Sequence, residues 1–497
     1  MVRRATRNRG VQKAPERSGI LKTDDGQQTA ERRSMSSGGE AMTAAVVLAA
    51  GQGTRMRSKR AKVLHEVAGL PMIEHVLRTV QALELAETVV VVGAQKEAVA
   101  AAVGRRATLV EQPGVLGTGD AVRRALGALS PDTHRVLVLY GDCPLVPPDL
   151  LRDLLNASGR DAATLVTAVL ADPTGYGRVV RDADGTIRAI VEEREADAAT
   201  RAIHEVNTGI GVWERDWLER VLPELVPHHG EVYLTDAVGA LIAAGARVGS
   251  LQAPDPERVM GINTRAELAR AEARARRDML ERLMAAGVTV RDPATTYVDA
   301  GVEVGLDTVL EPMTFLRGRT VVGEGAVIGP MTTLVDSYVG DHSVVVQSVV
   351  EGARIGPHCH VGPMSHLRPG TYLDRDVHLG NFVEVKNSRL GLGMKAGHHC
   401  YLGDATIGHH VNIGAGTVIV NYDGVAKHPT YIGDEAFIGC NANLVAPVEI
   451  GASAYVAAGS TVTHNVPAEA LAIARGRQEN KPNWVRARRQ RVSGPRD

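Results

Sequence analysis

Aliphatic residues recur at intervals of six over much of the C-terminal half, a period that is neither helical nor simply alternating. Ile355, Val361, Leu367, Leu373, Leu379 and Val385 form one such run, and Ile432, Ile438, Leu444, Ile450, Val456 and Val462 another. Glycine follows many of them, as in Ile355-Gly356, Val361-Gly362, Leu379-Gly380, Ile407-Gly408, Ile413-Gly414, Ile432-Gly433 and Ile438-Gly439. Such pairs mark corners that need an unusual φ or close packing. Three hexads then close one triangular coil with aliphatic side chains inward. Its backbone bonds to the coils above and below, so a stack buries a core that no single repeat could bury. Counted from about Val321 to Val462, with an approach from Tyr297, and at the usual strand spacing of ~4.8 Å, the column is on the order of 45 Å long.

A regular prism carries no chemistry, so function is sought where the rhythm breaks. The run from His398 to Asp404 is expected to slip the register, and Val420–Lys427 interrupts the ladder with a loop. Arg368, Lys386, Tyr401 and Asn412 lie within a few coils of His398. Stacking would gather them on neighbouring corners of one groove. Two cations with a tyrosine suit a phosphate, and a histidine with an ordinary pKa near ~6.5 suits removal of an amine proton.

A chain of 497 residues is too long for one core. A net charge of −1 argues against nucleic acid as the main partner. Cys143, Cys359, Cys400 and Cys440 lie far apart without a CxxC pair, which implies neither a zinc site nor a disulfide framework and fits a reducing cytoplasm. The sequence has no apolar run of membrane-spanning length, and its first forty residues have no apolar signal core. Residues 1–42 read as a disordered basic tail.

From Ala44 short aliphatic runs alternate with helical stretches: Val46–Leu48, Val89–Val92 and Val136–Leu139, with helices around Met72–Leu83 and Gly119–Leu129. Buried parallel strands read this way, and ligands are expected at their C-terminal ends. The first end carries Ala49-Ala50-Gly51-Gln52-Gly53-Thr54-Arg55-Met56. It is neither a dinucleotide fingerprint nor a P-loop, but its backbone N–H groups can surround an anion, with Arg55 and Lys62 as cations. A second glycine loop, Gln112–Gly119, opens a helix, and Tyr140-Gly141-Asp142 places an acid at a strand end. Together these suit a nucleoside triphosphate and magnesium.

The motifs LAAGQGTRM, LGTG, YGDCPL, Pro173–Arg178, Ile190–Glu193, Glu205–Gly209 and Gly261-Ile262-Asn263 resemble, in order and spacing, the uridylyltransferase half of a bacterial family. That family is the bifunctional N-acetylglucosamine-1-phosphate uridylyltransferase/glucosamine-1-phosphate acetyltransferases. The stretch KAGHHCYLGDATIGHHVNIGAGTVIVNYDG resembles its acetyltransferase half, and the likeness spans about residues 43–475. It implies an α/β, Rossmann-like nucleotidyltransferase domain (43–263), a linker helix (264–287), a left-handed parallel β-helix of hexapeptide repeats (288–475) and a C-terminal tail (476–497). The linker is foreshadowed by the capping box Thr264–Glu267 and the apolar face from Leu268 to Leu283.

By the same resemblance, UTP and the UDP-sugar are bound by Leu48, Gly51, Arg55, Lys62, Gln112, Gly117, Thr118, Tyr140, Asp142, Gly177, Glu192, Asn207 and Asn263. Within that set Arg55 and Lys62 contact phosphates, and Gln112, Gly117 and Thr118 the nucleoside. Gly177, Glu192 and Asn207 contact the amino sugar, and Asp142 and Asn263 bind Mg²⁺. His398 is implied as the general base. Arg368, Lys386, Tyr401, Asn412 and Lys427 are implied for glucosamine-1-phosphate, with Asn421 and Tyr422 beside it and towards acetyl-CoA. Ala415, Cys440, Ala458 and Arg475 are implied for acetyl-CoA. A cytoplasmic homotrimer acting on small molecules follows, without nucleic acid or membrane.

Two positions depart from the family: Gln52 where lysine is common, which removes a cation near the triphosphate, and Cys440 where serine is usual. A second reading of Cys440 is a small buried filler. The Arg-rich end, including Arg486, Arg488 and Arg489, reads as fraying or as covering a neighbouring CoA site. Other readings of the whole chain are a single-activity sugar nucleotidylyltransferase with a structural or regulatory β-helix, and a non-catalytic scaffold. The Asp142/Asn263 pair argues against the scaffold, and the His398–Tyr401 run with the Asn421 loop against the single activity.

Overall fold

The computed structural model describes residues 42–159, 161–228 and 230–492. The expected N-terminal tail therefore lies, apart from Met42, outside the described residues, and Met42 itself begins the first strand. That strand, Met42–Ala49, is central in a twisted sheet. It lies parallel to both Glu87–Val92 and Thr133–Tyr140. The sheet continues to Thr108–Glu111 on one side, and through Glu205–Glu214 and Ala163–Val169 to Val248–Gln252 on the other. It is mixed rather than wholly parallel, because Glu205–Glu214 runs antiparallel to both neighbours. Ala44–Val47 and Val136–Leu139 are buried on both sides, as their unbroken aliphatic runs predict. Leu48 registers with Tyr140, so the Gly51 loop and Asp142 leave the sheet side by side.

The second body is a left-handed parallel β-helix built from two linked ladders, one of nineteen strands and one of nine. Inward residues stack in register: Leu310 on Ile328, then Val345, Val361, Leu379, Ala396, Ile413, Ile438 and Val456. Each of these is buried. At roughly 1.5–3 kcal/mol for each fully buried aliphatic side chain, this interior is the main source of the prism's stability. The ladder starts earlier than the sequence pattern suggests, with strands from Thr289 onward.

Of the two reasons expected for glycine, close packing holds more often than an unusual φ, and the expected register slip is corrected. Most of the Ile-Gly and Val-Gly glycines have ordinary φ. They are small because a Cβ on Gly380 would fall 1.9 Å from the Gly397 carbonyl oxygen of the next coil, and one on Gly414 2.5 Å from Cys440 N. The left-handed corners are instead held largely by other residues, such as His342, His358, Phe382, His399 and Asn441. Nor does the His398 run slip: His378–Lys386 pairs continuously with Lys395–Gly403, placing Asn381 beside His398 and Glu384 beside Tyr401. The coil length does vary, since Val385-Leu390 and Leu402-Ile407 are five apart rather than six, as Leu334-Val339, Val345-Val350 and Val350-Ile355 are in earlier coils. The Asn421–Lys427 loop is accommodated as an excursion, closed by a bridge between Tyr422 and Lys427, and Ile413 still stacks on Ile438.

A helix, Arg265–Ala285, stands between the two bodies, and Thr264 and Glu267 form a complete capping box. It is docked rather than free. Ala271 packs with Val67, Met72 and Ile262, while Met279, Leu280 and Leu283 join the prism core. Glu272 accepts from Ala68 N at 2.6 Å, and Ala300 N donates to Ala68 O at 2.8 Å, which ties the first domain to the first coil.

Candidate active sites

The first site is a cleft of about 410 Å³ at the C-terminal edge of the mixed sheet. Leu48, Gly51, Lys62, Gln112, Gly117, Thr118, Tyr140, Asp142, Gly177, Glu192, Asn207 and Asn263 all line it. Arg55 does not; it is exposed on the short helix Thr54–Met56. Gln52 is also exposed in that loop. The Gln112 amide is fixed by donating to Gly117 O at 2.9 Å and to Asp120 at 3.0 Å. Gly117, at φ 87, wedges against Val232, whose carbonyl oxygen would be 2.3 Å from an added Cβ. No side chain fits there, so the loop is held open to a ligand by backbone alone.

On the opposite wall, Thr235 donates to Glu192 at 3.0 Å. Burial raises the Glu192 carboxyl pKa above its ordinary value, against the Thr235 hydrogen bond. Burial also raises the Tyr140 phenol, with Asp142 adding to the shift. The chain turn at Gly261–Asn263 is pinned to the strand end by Ile262 N donating to Asp142 O at 3.0 Å. Lys62 lines the cleft with its charge directed at the strand end. Its ammonium pairs with the Asp142 carboxylate and donates to Asn263 Oδ1 at 2.9 Å. The two oxygens assigned to magnesium therefore do converge on one point, a carboxylate and an amide oxygen that suit a hard divalent cation.

The second site lies on the prism. In each coil the residue two after one inward position precedes the left-handed corner. The ladder register stacks these into a column of Asn381, His398, Ala415, Cys440 and Ala458. Arg475 reaches the same column and donates to Ala458 O at 2.8 Å. Three small side chains thus make a gutter along the prism, and His398, exposed, stands at its end. Cys440 is exposed to that gutter, so the buried-filler reading is wrong. Cys400 instead occupies a position that hydroxyl residues fill in other coils. Its Sγ is 2.9 Å from His398 O, as Thr371 Oγ1 is 2.7 Å from Arg368 O and Ser388 Oγ 2.8 Å from Lys386 O.

On the adjoining face, Arg368 donates to Glu384 at 2.9 Å, and Glu384 registers with Tyr401. Tyr401 lies over Gly403, where a Cβ would be 2.5 Å from its Oη. Asn421, buried, donates to Asp404 at 2.6 Å and lies 3.4 Å from Tyr401 Oη. The loop also brings Lys427 to Lys386. The Lys427 ammonium first, and Arg368 less, holds the Lys386 pKa below its ordinary value. Three cations crowded together favour a dianion between them. Asn412 sits one face away, registered with Lys395, and Tyr422 is on the exposed loop.

The description "MobA-like NTP transferase domain" matches residues 45–209, and "Bacterial transferase hexapeptide (six repeats)" matches residues 429–464. Bifunctional protein GlmU of Brevibacillus brevis is 46% identical, covering 89% of this chain and 96% of its own length. Its counterpart in Exiguobacterium sp. is 45% identical over 89% of this chain and 99% of the relative, and that of Desulfitobacterium hafniense 45% over 89% and 98%. The chain belongs to the bifunctional GlmU family. It is a bifunctional transferase with a nucleotidyltransferase domain and a hexapeptide acyltransferase domain.

Several residues of this GlmU-family chain escape a reading by motif. Glu384 partners Arg368, Asp404 partners Asn421, and Thr235 partners Glu192. Each is polar and unremarkable in sequence, and only the fold supplies its neighbour. The signal available was periodic: Glu384 occupies the same outward position as Tyr401 one coil on. Residues Trp484–Val492 form a helix rather than a frayed end, and Arg488 stacks over Trp484. No helix among the described residues is long and apolar enough to cross a membrane.

Proposed function

We propose that this chain makes UDP-N-acetylglucosamine in two steps at two separate sites. Acetyl-CoA first acetylates glucosamine-1-phosphate on the prism. UTP and N-acetylglucosamine-1-phosphate then give UDP-N-acetylglucosamine and pyrophosphate in the cleft. The observation that carries the reading is the corner column: a gutter of small residues leading to an exposed imidazole, with a crowded cation cluster on the next face.

In the first step the sugar phosphate is held by Lys386, Lys427 and Arg368, which points the amine towards His398. The pantetheine arm lies along Ala415, Cys440 and Ala458. The amine attacks the thioester carbonyl, the C–N bond forms, and the C–S bond breaks with departure of CoA thiolate. His398 takes the amine proton and returns it to the thiolate. Tyr401 and Asn421 orient the sugar, and Asn412 meets it from the adjacent face.

In the second step Gln112, Gly117 and Thr118 hold the nucleoside, and Glu192, Asn207 and Gly177 hold the amino sugar. A phosphate oxygen of the sugar attacks the α-phosphorus of UTP, and the bond to pyrophosphate breaks. No protein base is required, since the phosphate monoester is already a nucleophile; placement and charge neutralisation do the work. Mg²⁺ held by Asp142 and Asn263 supplies part of that neutralisation when bound.

A homotrimer fits the prism. Phe382, Tyr422 and Val425 are 61%, 55% and 91% exposed around the acetylation groove, an apolar rim that a second copy would cover. The experiment is a coupled assay with glucosamine-1-phosphate, acetyl-CoA, UTP and Mg²⁺, reading free thiol and pyrophosphate separately. Asp142→Ala should abolish pyrophosphate release and leave thiol release intact; loss of both refutes separate sites.

A further inference from the structure

Lys62 joins the two residues assigned above to the metal. Its ammonium pairs with the Asp142 carboxylate and donates to Asn263 Oδ1 at 2.9 Å. The lysine and aspartate side chains are only 13% and 11% exposed, so the pair is weakly screened by solvent. The arrangement is braced on both sides. Ile262 N donates to Asp142 O at 3.0 Å, which fixes the Asn263 turn. A Cβ on Gly53 would fall 2.7 Å from Lys62 Cβ, so the glycine loop closes on the lysine stem. A magnesium ion takes its oxygens at ~2.1 Å. It would draw on the same carboxylate and amide that the ammonium uses, with two positive centres within a few ångströms. Ammonium and metal therefore compete for the site by mutual repulsion.

We propose that Lys62 is a tethered competitor for the divalent cation, and that the triphosphate of UTP draws it away, so that metal enters with the nucleotide rather than before it. The inference rests on the assignment of Asp142 and Asn263 to Mg²⁺. The flexible four-carbon stem lets the ammonium swing from the carboxylate to a phosphate oxygen. The polyphosphate then serves two purposes, as counter-ion to the displaced lysine and as the remaining ligand of the metal. Because coupling is reciprocal, metal and nucleotide each tighten the other on the protein beyond their affinity in solution.

The test titrates Mn²⁺ into the full chain without nucleotide and follows free Mn²⁺ by electron paramagnetic resonance. Lys62→Met should bind at least about tenfold more tightly than wild type, the effect of removing one close positive charge. Lys62→Gln should behave alike, and Lys62→Arg should remain weak. The gain should vanish in the double variant Lys62→Met/Asp142→Asn. Circular dichroism melts establish that each variant is folded. Equal Mn²⁺ affinity in wild type, Lys62→Met and Lys62→Gln overturns the competition. A separate arm compares binding of Mn·UTP with metal-free UTP in wild type and Asp142→Asn. If Asp142→Asn loses the preference for Mn·UTP while Lys62→Met gains nothing, the metal assignment stands and the competition falls. If Asp142→Asn keeps that preference, the assignment falls and the inference with it.

Discussion

Replacing Lys427 with methionine tests the phosphate grip of the acetylation site, because the loop carries this lysine to Lys386 and to no described acidic partner of its own. Loss of a hydrogen bond from a charged donor costs about 1.5–3 kcal/mol, which is about ten- to a hundredfold in affinity. The same change relieves Lys386 of its nearest like charge, so the net effect belongs at the lower end, about a tenfold rise in KM for glucosamine-1-phosphate at pH 7. The turnover number should hold, since the lost contact serves ground state and transition state alike. The pH dependence carries the sharper signature. Lys427 depresses the Lys386 pKa, so in the wild type Lys386 loses its proton at a lower pH than an ordinary lysine, and phosphate affinity falls with it. In Lys427→Met the Lys386 ammonium persists towards the ordinary lysine value of ~10.4. The ratio of variant to wild-type KM should therefore shrink from pH 7 to pH 9.5 in the thiol-release assay. Titration of the substrate amine is common to both proteins and cancels in the ratio. A ratio that stays constant or grows with pH, or a KM that does not change, refutes the cation cluster as the phosphate site.

His398→Ala should lower thiol release by about two orders of magnitude or more, as removal of a general base does. Pyrophosphate release from N-acetylglucosamine-1-phosphate should persist in it. Leu402→Ala removes a fully buried side chain from the strand that carries His398 and Tyr401. It should destabilise the prism by about 2–5 kcal/mol in urea unfolding, and acetyl transfer should be lost at lower urea than uridylyl transfer. Burial first, then His360, Lys395 and His398, holds the His378 pKa below the ordinary value. The unfolded chain then binds this proton more readily, so stability is complete above about pH 6.5 and declines as pH falls towards the lowered value. His378→Gln should flatten that decline in thermal melts between pH 7 and pH 5.

The prism was legible because its period is local. Each inward aliphatic residue announces itself six or five positions from the last, and glycine follows wherever the next coil comes too near for a Cβ. The cleft was legible through its turns, since Gly51, Gly117 and Asp142 sit at strand ends where any parallel sheet presents ligands. The antiparallel strand Glu205–Glu214 was not, because buried strands look alike in either direction. Cys440 shows the same limit: a thiol fits equally well inside or outside a coil, and only the register sets it beside Ala415 and Ala458.

The sequence alone determined which residues repeat, where the repeat is interrupted and which side chains have the chemistry to hold phosphates or take a proton. Only the tertiary structure decided who faces whom. It set His398 at the end of a small-residue column, gave Arg368 to Glu384, and placed the Lys62 ammonium between Asp142 and Asn263. The physical reason is that periodicity fixes the direction of a side chain from its own backbone. Partnership between charges depends on distances across coils and strand ends, which the chain closes only when it folds.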